Sequence, residues 1–394
     1  MQLLAASWVV PVDGPPMRDG LVGVEDGRIA WMGAGTDPGR PRGPVRDLGP
    51  GVLLPGLVNA HCHLELSHLA DVRPEGGRGF VAWVEALVER RAHADPARGR
   101  AAVRAALDEV KATGTIAVGD VSNTLDHLDL LETSGLEAVV FHELLAWDPA
   151  RAESVLDQAR RRLAASAGRG VRVRLAAHAP HSVSPPLLRA LAAEGGPAAI
   201  HLAESEAESR FLDGGDPDWS AFLARRGLGH VRFAPPRQTP ARYLDGLGVL
   251  HPGLVAAHCI RVDARDRELL GRRGVFVAVC PRSNRNLGVG IPPVPDLLAS
   301  GIAVCLGTDS LASVDSLDLL ADAAALHREF PALEPSAIVH MATATGARAL
   351  GLPDLGTLAP GQRAALAFSP APRVPDDPLT FLVSGAARAR PVET

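Results

Sequence analysis

The sequence predicts an α/β protein: a (β/α)8 TIM barrel with a small β-sandwich domain formed by both chain termini. Three observations point there. Short apolar runs alternate with segments of helical period through the middle of the chain. Both chain ends are instead rich in turns and short strand-like runs. Histidines and an aspartate recur where the apolar runs stop. Eight strand–helix units over about 290 residues match the size of such a barrel. An open doubly wound sheet is the rival architecture, but no Gly-x-Gly-x-x-Gly opens a helix, so its best sign of dinucleotide binding is missing.

The boundaries expected are 1–50 for the N-terminal part of the sandwich, 51–345 for the (β/α)8 barrel and 346–394 for the C-terminal part. Residues 1–14, MQLLAASWVVPVDG, are apolar but have no basic start and carry a proline, so they read as a strand and not as a signal peptide. Leu21-Val22-Gly23-Val24 and Arg28-Ile29-Ala30-Trp31-Met32, split by Asp26-Gly27, read as a hairpin. The eight core strands expected are Leu53–His63, Thr115–Val121, Ala138–Leu145, Val171–His178, Ala198–Leu202, Leu254–His258, Val275–Cys280 and Ile302–Thr308. Phe80, Val81, Val84, Leu87 and Val88 share one face of a helix after the first strand, with Trp83 expected in the core. Beyond residue 345 the turn-rich pattern returns, as in Gly356-Thr357-Leu358-Ala359-Pro360-Gly361.

Composition narrows the function. The chain has 394 residues, 46% hydrophobic and 22% charged, which suffices for a large core. A net charge of −5 argues against a nucleic-acid partner. No apolar stretch reaches the roughly 18–20 residues of a membrane helix, so no membrane partner is expected. Cys62, Cys259, Cys280 and Cys305 are scattered inside apolar runs, which favours buried thiols and a reducing cytoplasm over a disulfide framework. Lys111 is the single lysine.

The strongest chemical signal is Asn59-Ala60-His61-Cys62-His63 at the end of the first strand. Residues i and i+2 of a strand share a face, so His61 and His63 point together into the barrel and Cys62 points away. Two imidazoles converging at the C-terminal mouth of a barrel are half of a metal site. His178, His201, His258 and Asp309 end strands four, five, six and eight. One histidine after an apolar run is usually an ordinary polar group, but in this architecture all these strand ends face one cavity.

Pro55-Gly56-Leu57-Val58-Asn59-Ala60-His61-Cys62-His63, His201-Leu202-Ala203-Glu204, Ala257-His258-Cys259, Cys280-Pro281-Arg282-Ser283-Asn284 and Gly307-Thr308-Asp309-Ser310 together resemble the amidohydrolase superfamily. The branch they resemble holds the cytosine, guanine, S-adenosylhomocysteine and aminofutalosine deaminases and the triazine chlorohydrolases. The resemblance covers nearly the whole chain and is far more specific for superfamily than for substrate. It implies one divalent metal held by His61, His63, His201 and Asp309: zinc first, with iron and manganese open. It also implies catalytic roles for Glu204 as proton shuttle, His258 as the group that orients the attacking water, and Asp309 as proton acceptor. Binuclear members bridge two metals with a carbamylated lysine on strand four. Here that strand ends in His178, and Lys111 lies in an expected helix, so one metal is expected.

For the substrate, His178, with His181 beside it, is expected to flank the pocket, Glu65 and Ser67 to meet a polar edge, and Arg282 to meet an anionic or carbonyl group. Residues 205–252 have the character of a lid. Arg90-Arg91 and Arg160-Arg161-Arg162 read as solvated helix faces. His61-Cys62-His63-Leu64-Glu65-Leu66-Ser67-His68, Phe80-Val81-Ala82-Trp83-Val84 and Gly307–Ser313 look most like aminofutalosine deaminases of menaquinone biosynthesis. These remove the 6-amino group from an adenine nucleoside whose ribose carries a keto-linked benzoate. Adenosine or S-adenosylhomocysteine deamination and triazine-type dechlorination are the alternatives, with a non-enzymatic binding barrel more remote. The expected partner is a small molecule. Self-association is left open.

Overall fold

The computed structural model describes residues 1–73 and 79–393. All eight expected barrel strands form: β1 (Leu57–Cys62), β2 (Thr115–Ser122), β3 (Glu137–Leu144), β4 (Arg172–Ala177), β5 (Ala198–Leu202), β6 (Leu254–His258), β7 (Phe276–Val279) and β8 (Ala303–Leu306). They make two parallel four-stranded sheets, β1–β4 and β5–β8, each in sequence order. Backbone hydrogen bonds join the sheets at both seams. His201 N–H donates to the His178 carbonyl at 2.8 Å, and the N–H groups of Thr308 and Asp309 donate to the His61 carbonyl at 3.1 Å. The ring is closed, as the α/β alternation predicts.

The expected first strand, Leu53–His63, is in fact two. Gly51–Pro55 pairs with Gln2–Val9 and with Leu366–Pro370, and the barrel begins only at Leu57. Gly56 marks the break. A Cβ there would lie 2.3 Å from Ile116 at the start of β2, so only glycine lets the chain pass between the two sheets.

The two chain ends meet in one seven-stranded sheet, with strands from 2–55 on one side and Leu366–Pro370 and Arg390–Val392 on the other. Leu4, Val9, Val22, Ile29, Leu53 and Phe368 form its separate core. Among the described residues, no helix is long and apolar enough to cross a membrane. The larger core lies between barrel strands and helices. Cys62 belongs to that layer, packed with Val103, Ala106 and Val110 of the helix Pro96–Ala112, as strand alternation requires.

Candidate active site

Every donor of the centre comes from a strand end or the residues just beyond it. His61 and His63 lie at the end of β1, His201 on β5, Glu204 just past β5, His258 at the end of β6, and Asp309 three residues past β8. All six are buried. Where the chain leaves β5, β6 and β8, four non-glycine residues hold left-handed backbone: Ala203, His258, Cys259 and Asp309, with φ from 48° to 73°. Such conformations cost about 1–3 kcal/mol each and gather at functional sites. Here they turn two of the six donors inward.

The donor atoms converge. One group is His61, His63 and Asp309; a second is His61, His201 and His258; within each group the ligand atoms lie within 4.8 Å of one another. His63 Nε2 stands 3.2 Å from His201 Nε2 and 3.7 Å from Asp309 Oδ1. His61 Nε2 is buried with no hydrogen-bond partner. A buried polar atom in that state costs about 1–3 kcal/mol unless something binds it.

Further groups hold the donors in place. Asp309 Oδ2 accepts from the Ser283 hydroxyl at 2.5 Å, and Oδ1 accepts from the Ser310 N–H at 2.8 Å. Asn59, on the same strand face as His61, donates to Thr308 Oγ1 at 2.7 Å and ties β1 to β8 beneath the centre. Asn284 Nδ2 lies 2.8 Å from His258 Nδ1, which leaves His258 Nε2 facing Glu204 Oε1 at 3.6 Å. His201 Nδ1 lies 3.0 Å from the His178 carbonyl and 3.3 Å from Glu143 Oε1, so its Nε2 is directed to the centre.

Electrostatics divide the groups by task. Burial, joined by neighbouring imidazoles, keeps His61 well below its ordinary pKa, and burial takes His258 down to about 3, so both are neutral. Burial opposes charge on His201 too, but the hydrogen bond and charge of Glu143 outweigh it and lift that group to about 9. Burial would raise Glu143, yet His178 and His201 hold its carboxyl well below the usual range. Asp309 also stays low, because the histidines and Ser283 outweigh its burial. Glu204 goes the other way, pushed up to about 8 chiefly by burial.

Above this floor opens a cavity of about 920 Å³, its mouth included. The helix Gly79–Ala92 lines one wall with Phe80, Trp83, Val84, Leu87 and Val88. The helix Pro217–Arg225 contributes Trp219 and Phe222. Glu85 and Arg225 join the two helices through paired contacts at 2.6 and 2.8 Å. His178 and His181 also line the cavity, and His181 packs on Trp219 with ring centres 4.5 Å apart.

Several expectations need correction. Arg282 does not reach the cavity. Its guanidinium is consumed by Asp322, Asp315, Ser316 and the Ser316 and Asp318 carbonyls. Glu65 and Ser67 do not line it either. The Glu65 carboxylate accepts from Arg91, Ser122, Asn123 and Thr124, and Ser67 is 5% exposed behind the wall. Trp83 packs against the core as expected and also lines the cavity, as do Phe80, Val84 and Leu87; in that helix only Val81 is buried. Arg91 is not a solvated surface group but lines the cavity as well. Residues 205–252 contain three short helices, Glu206–Asp213, Pro217–Arg225 and Pro240–Gly246. The sequence reading missed Glu143 and Asn123. The former carried a signal: a carboxylate in Phe141-His142-Glu143, at the end of an otherwise apolar strand.

Comparison with known proteins follows the same lines. A model of the amidohydrolase family matches residues 52–385. The aminodeoxyfutalosine deaminase of Deinococcus radiodurans is 35% identical over 318 residues, covering 76% of this chain and 73% of that protein. A 5-methylthioadenosine/S-adenosylhomocysteine deaminase of Desulfitobacterium hafniense is 30% identical over 93% of this chain and 84% of its own. The crystal structure of Helicobacter pylori aminofutalosine deaminase with methylthio-coformycin superposes with a TM-score of 0.84. It is 24% identical and covers 98% of this chain and 97% of that one, a likeness of fold.

Proposed function

The chain belongs to the amidohydrolase family, and on that premise we propose that it is a metal-dependent deaminase removing the 6-amino group of an adenine-type nucleoside, aminodeoxyfutalosine foremost. The observation that carries this reading is the convergence of His61, His63, His201, His258, Asp309 and Glu204 on one buried floor beneath an apolar cavity.

The donor set fits one divalent metal. Three imidazoles and a carboxylate suit zinc, with iron and manganese as alternatives, and the unpartnered His61 Nε2 is what a missing ligand bond would leave. On this reading His61, His63, His201 and Asp309 hold the ion, which when bound supplies an activated water at neutral pH. A carbamate bridge to a second metal has no lysine, since Lys111 lies in the last turn of the helix Pro96–Ala112.

The protein's own groups do the rest. His258, neutral and fixed through Nδ1, aligns the attacking water through Nε2. Asp309 is ionised and accepts that water's proton. Glu204, raised to about 8, is largely protonated at neutral pH and delivers its proton to the purine N1 as the C6–O bond forms. The amino group then takes the proton held by Asp309 and leaves as ammonia, while the C6 hydroxyl gives its proton back to Glu204 and C6 becomes a carbonyl. The apolar walls exclude bulk water and seat the rest of the nucleoside.

We take the sheet at the chain ends as the family's sandwich-type domain, with the boundary after Pro55 and the barrel beyond it. It carries none of these groups. A small nucleoside is the partner, met in the cytoplasm. Ammonia release measured as kcat/KM for aminodeoxyfutalosine, adenosine and S-adenosylhomocysteine tests the assignment. A tenfold preference for the first is expected, about 1.4 kcal/mol of transition-state discrimination. A tenfold preference for either of the others overturns the substrate, and no ammonia from any of them overturns the chemistry.

A further inference from the structure

We propose that Arg91 is the specificity residue of the cavity: it binds an anionic group, a carboxylate, at the far end of the substrate's 5′ tail. This rests on the deaminase reading above and adds to it the charge of the substrate's distal part.

Arg91 lies in the last turn of the helix Gly79–Ala92 and lines the cavity together with the apolar stripe of that helix. Among the described residues lining that cavity it is the only lysine or arginine. Its two terminal nitrogens are pinned, one to Asn123 Oδ1 and the other to Glu65 Oε1, each at 2.5 Å. A guanidinium carries five N–H donors in a rigid plane. Two are used here, and no other hydrogen bond of this side chain forms among the described residues. Three donors are therefore left, on a group whose plane is already fixed.

Glu65 does not compete for them. Its carboxylate accepts five hydrogen bonds and sits behind the wall, and Arg91 with those N–H and O–H donors holds it below its ordinary pKa against the pull of burial. It orients Arg91 and takes up one of its five donors. Asn123 serves the same end, since Nδ2 donates to Glu143 Oε2 at 2.9 Å while Oδ1 accepts from Arg91. Arg91 is thus linked to the floor through Asn123, Glu143 and His201, but stands outside the group that does the chemistry.

The other nearby cations do not fill this role. Arg282 is fully engaged elsewhere. Arg210 and Arg225 line a neighbouring groove and not this cavity. Arg261 lines a neighbouring groove and donates to the Val289 carbonyl. A ligand that has an apolar body for the aromatic walls and an anion for Arg91 suits this cavity. A neutral 5′-methyl or methylthio tail would leave the three donors to water.

The test is a comparison of charge on both sides of the contact. kcat/KM is measured for aminodeoxyfutalosine, its methyl ester and 5′-deoxyadenosine, with wild type, Arg91→Gln, Arg91→Lys and Arg261→Gln. Esterification should cost the wild type about 10–100-fold, the range of one charge-assisted hydrogen bond or more. Arg91→Gln should lose that factor on the free acid, mostly in KM, and much less on the two neutral nucleosides. Arg91→Lys should recover part of it. Wild type that does not distinguish acid from ester overturns the proposal whether or not the variants fold. So do equal losses on acid and neutral substrates in Arg91→Gln, which would place Arg91 against the shared nucleoside, and so does a selective loss in Arg261→Gln. Wild type that deaminates none of the three overturns the deaminase reading itself, and this proposal with it.

Discussion

The floor of the cavity and its walls are built on different principles. The floor is made of strand ends: six polar groups, all buried, of which His258, Asp309 and His201 are fixed by Asn284, Ser283 and Glu143. The walls are made of two helices, Gly79–Ala92 and Pro217–Arg225, whose apolar faces pack on the core along one side and line the cavity along the other. The floor decides which reaction is possible and tolerates no change of chemistry. The walls decide what is brought to it. Damage to the floor should therefore appear in kcat and metal content, and damage to the walls in KM.

The largest effect is expected at the ligands. His61→Ala or Asp309→Ala should take bound metal and activity to the limit of detection together, by elemental analysis and ammonia release, and chelation of the wild type should do the same reversibly. Two metals per chain would contradict a mononuclear floor. Next is Glu204→Gln, which should keep metal and substrate affinity but lower kcat by about 10²–10⁴-fold, the range of general acid–base catalysis. Near-normal turnover would leave Glu204 a mere helix-end carboxylate. Glu143→Gln acts one step further out. Loss of its charge beside His201 should weaken metal binding by about 10–100-fold, read by competition with a chelator. The smallest effect belongs to the wall. Phe222→Ala removes apolar contact and should raise KM roughly tenfold with kcat nearly intact. A kcat effect as large as that of Glu204→Gln would erase the distinction between the two regions.

The same division explains what was legible in the sequence. Strand ends announce themselves, because a histidine or carboxylate closing an apolar run has few other reasons to be there, and alternation fixed the directions of His61, Cys62 and His63. Barrel strand positions could be read within a few residues for a similar reason: buried parallel strands are nearly continuous apolar runs. The walls could not be read this way. An apolar stripe on a helix looks the same whether it faces a core or a cavity, so the cavity side of Trp83 leaves no mark beside its core contacts. Arginines carry no mark of their partners. Arg282 sits in a motif but is neutralised by Asp322 and Asp315, whereas Arg91 follows a run of surface charges and turns inward, because Glu65 and Asn123, 26 and 32 positions away, draw it there. Only tertiary contact decides between them.

The closing seam between β1 and β8 has a consequence for when the protein becomes an enzyme. Asn59 and Thr308 are 249 positions apart, and their contact draws His61 and Asp309 together. On the proposed function, an ion held by both would work as a clasp across nearly the whole barrel, stabilising the closed ring in proportion to its affinity for that state. During synthesis the histidines at 61, 63 and 201 emerge long before the aspartate. A nascent or truncated chain thus offers a metal three imidazoles and no carboxylate. On the proposed ligand set, full loading is a late event, complete only once the last strand has closed the ring.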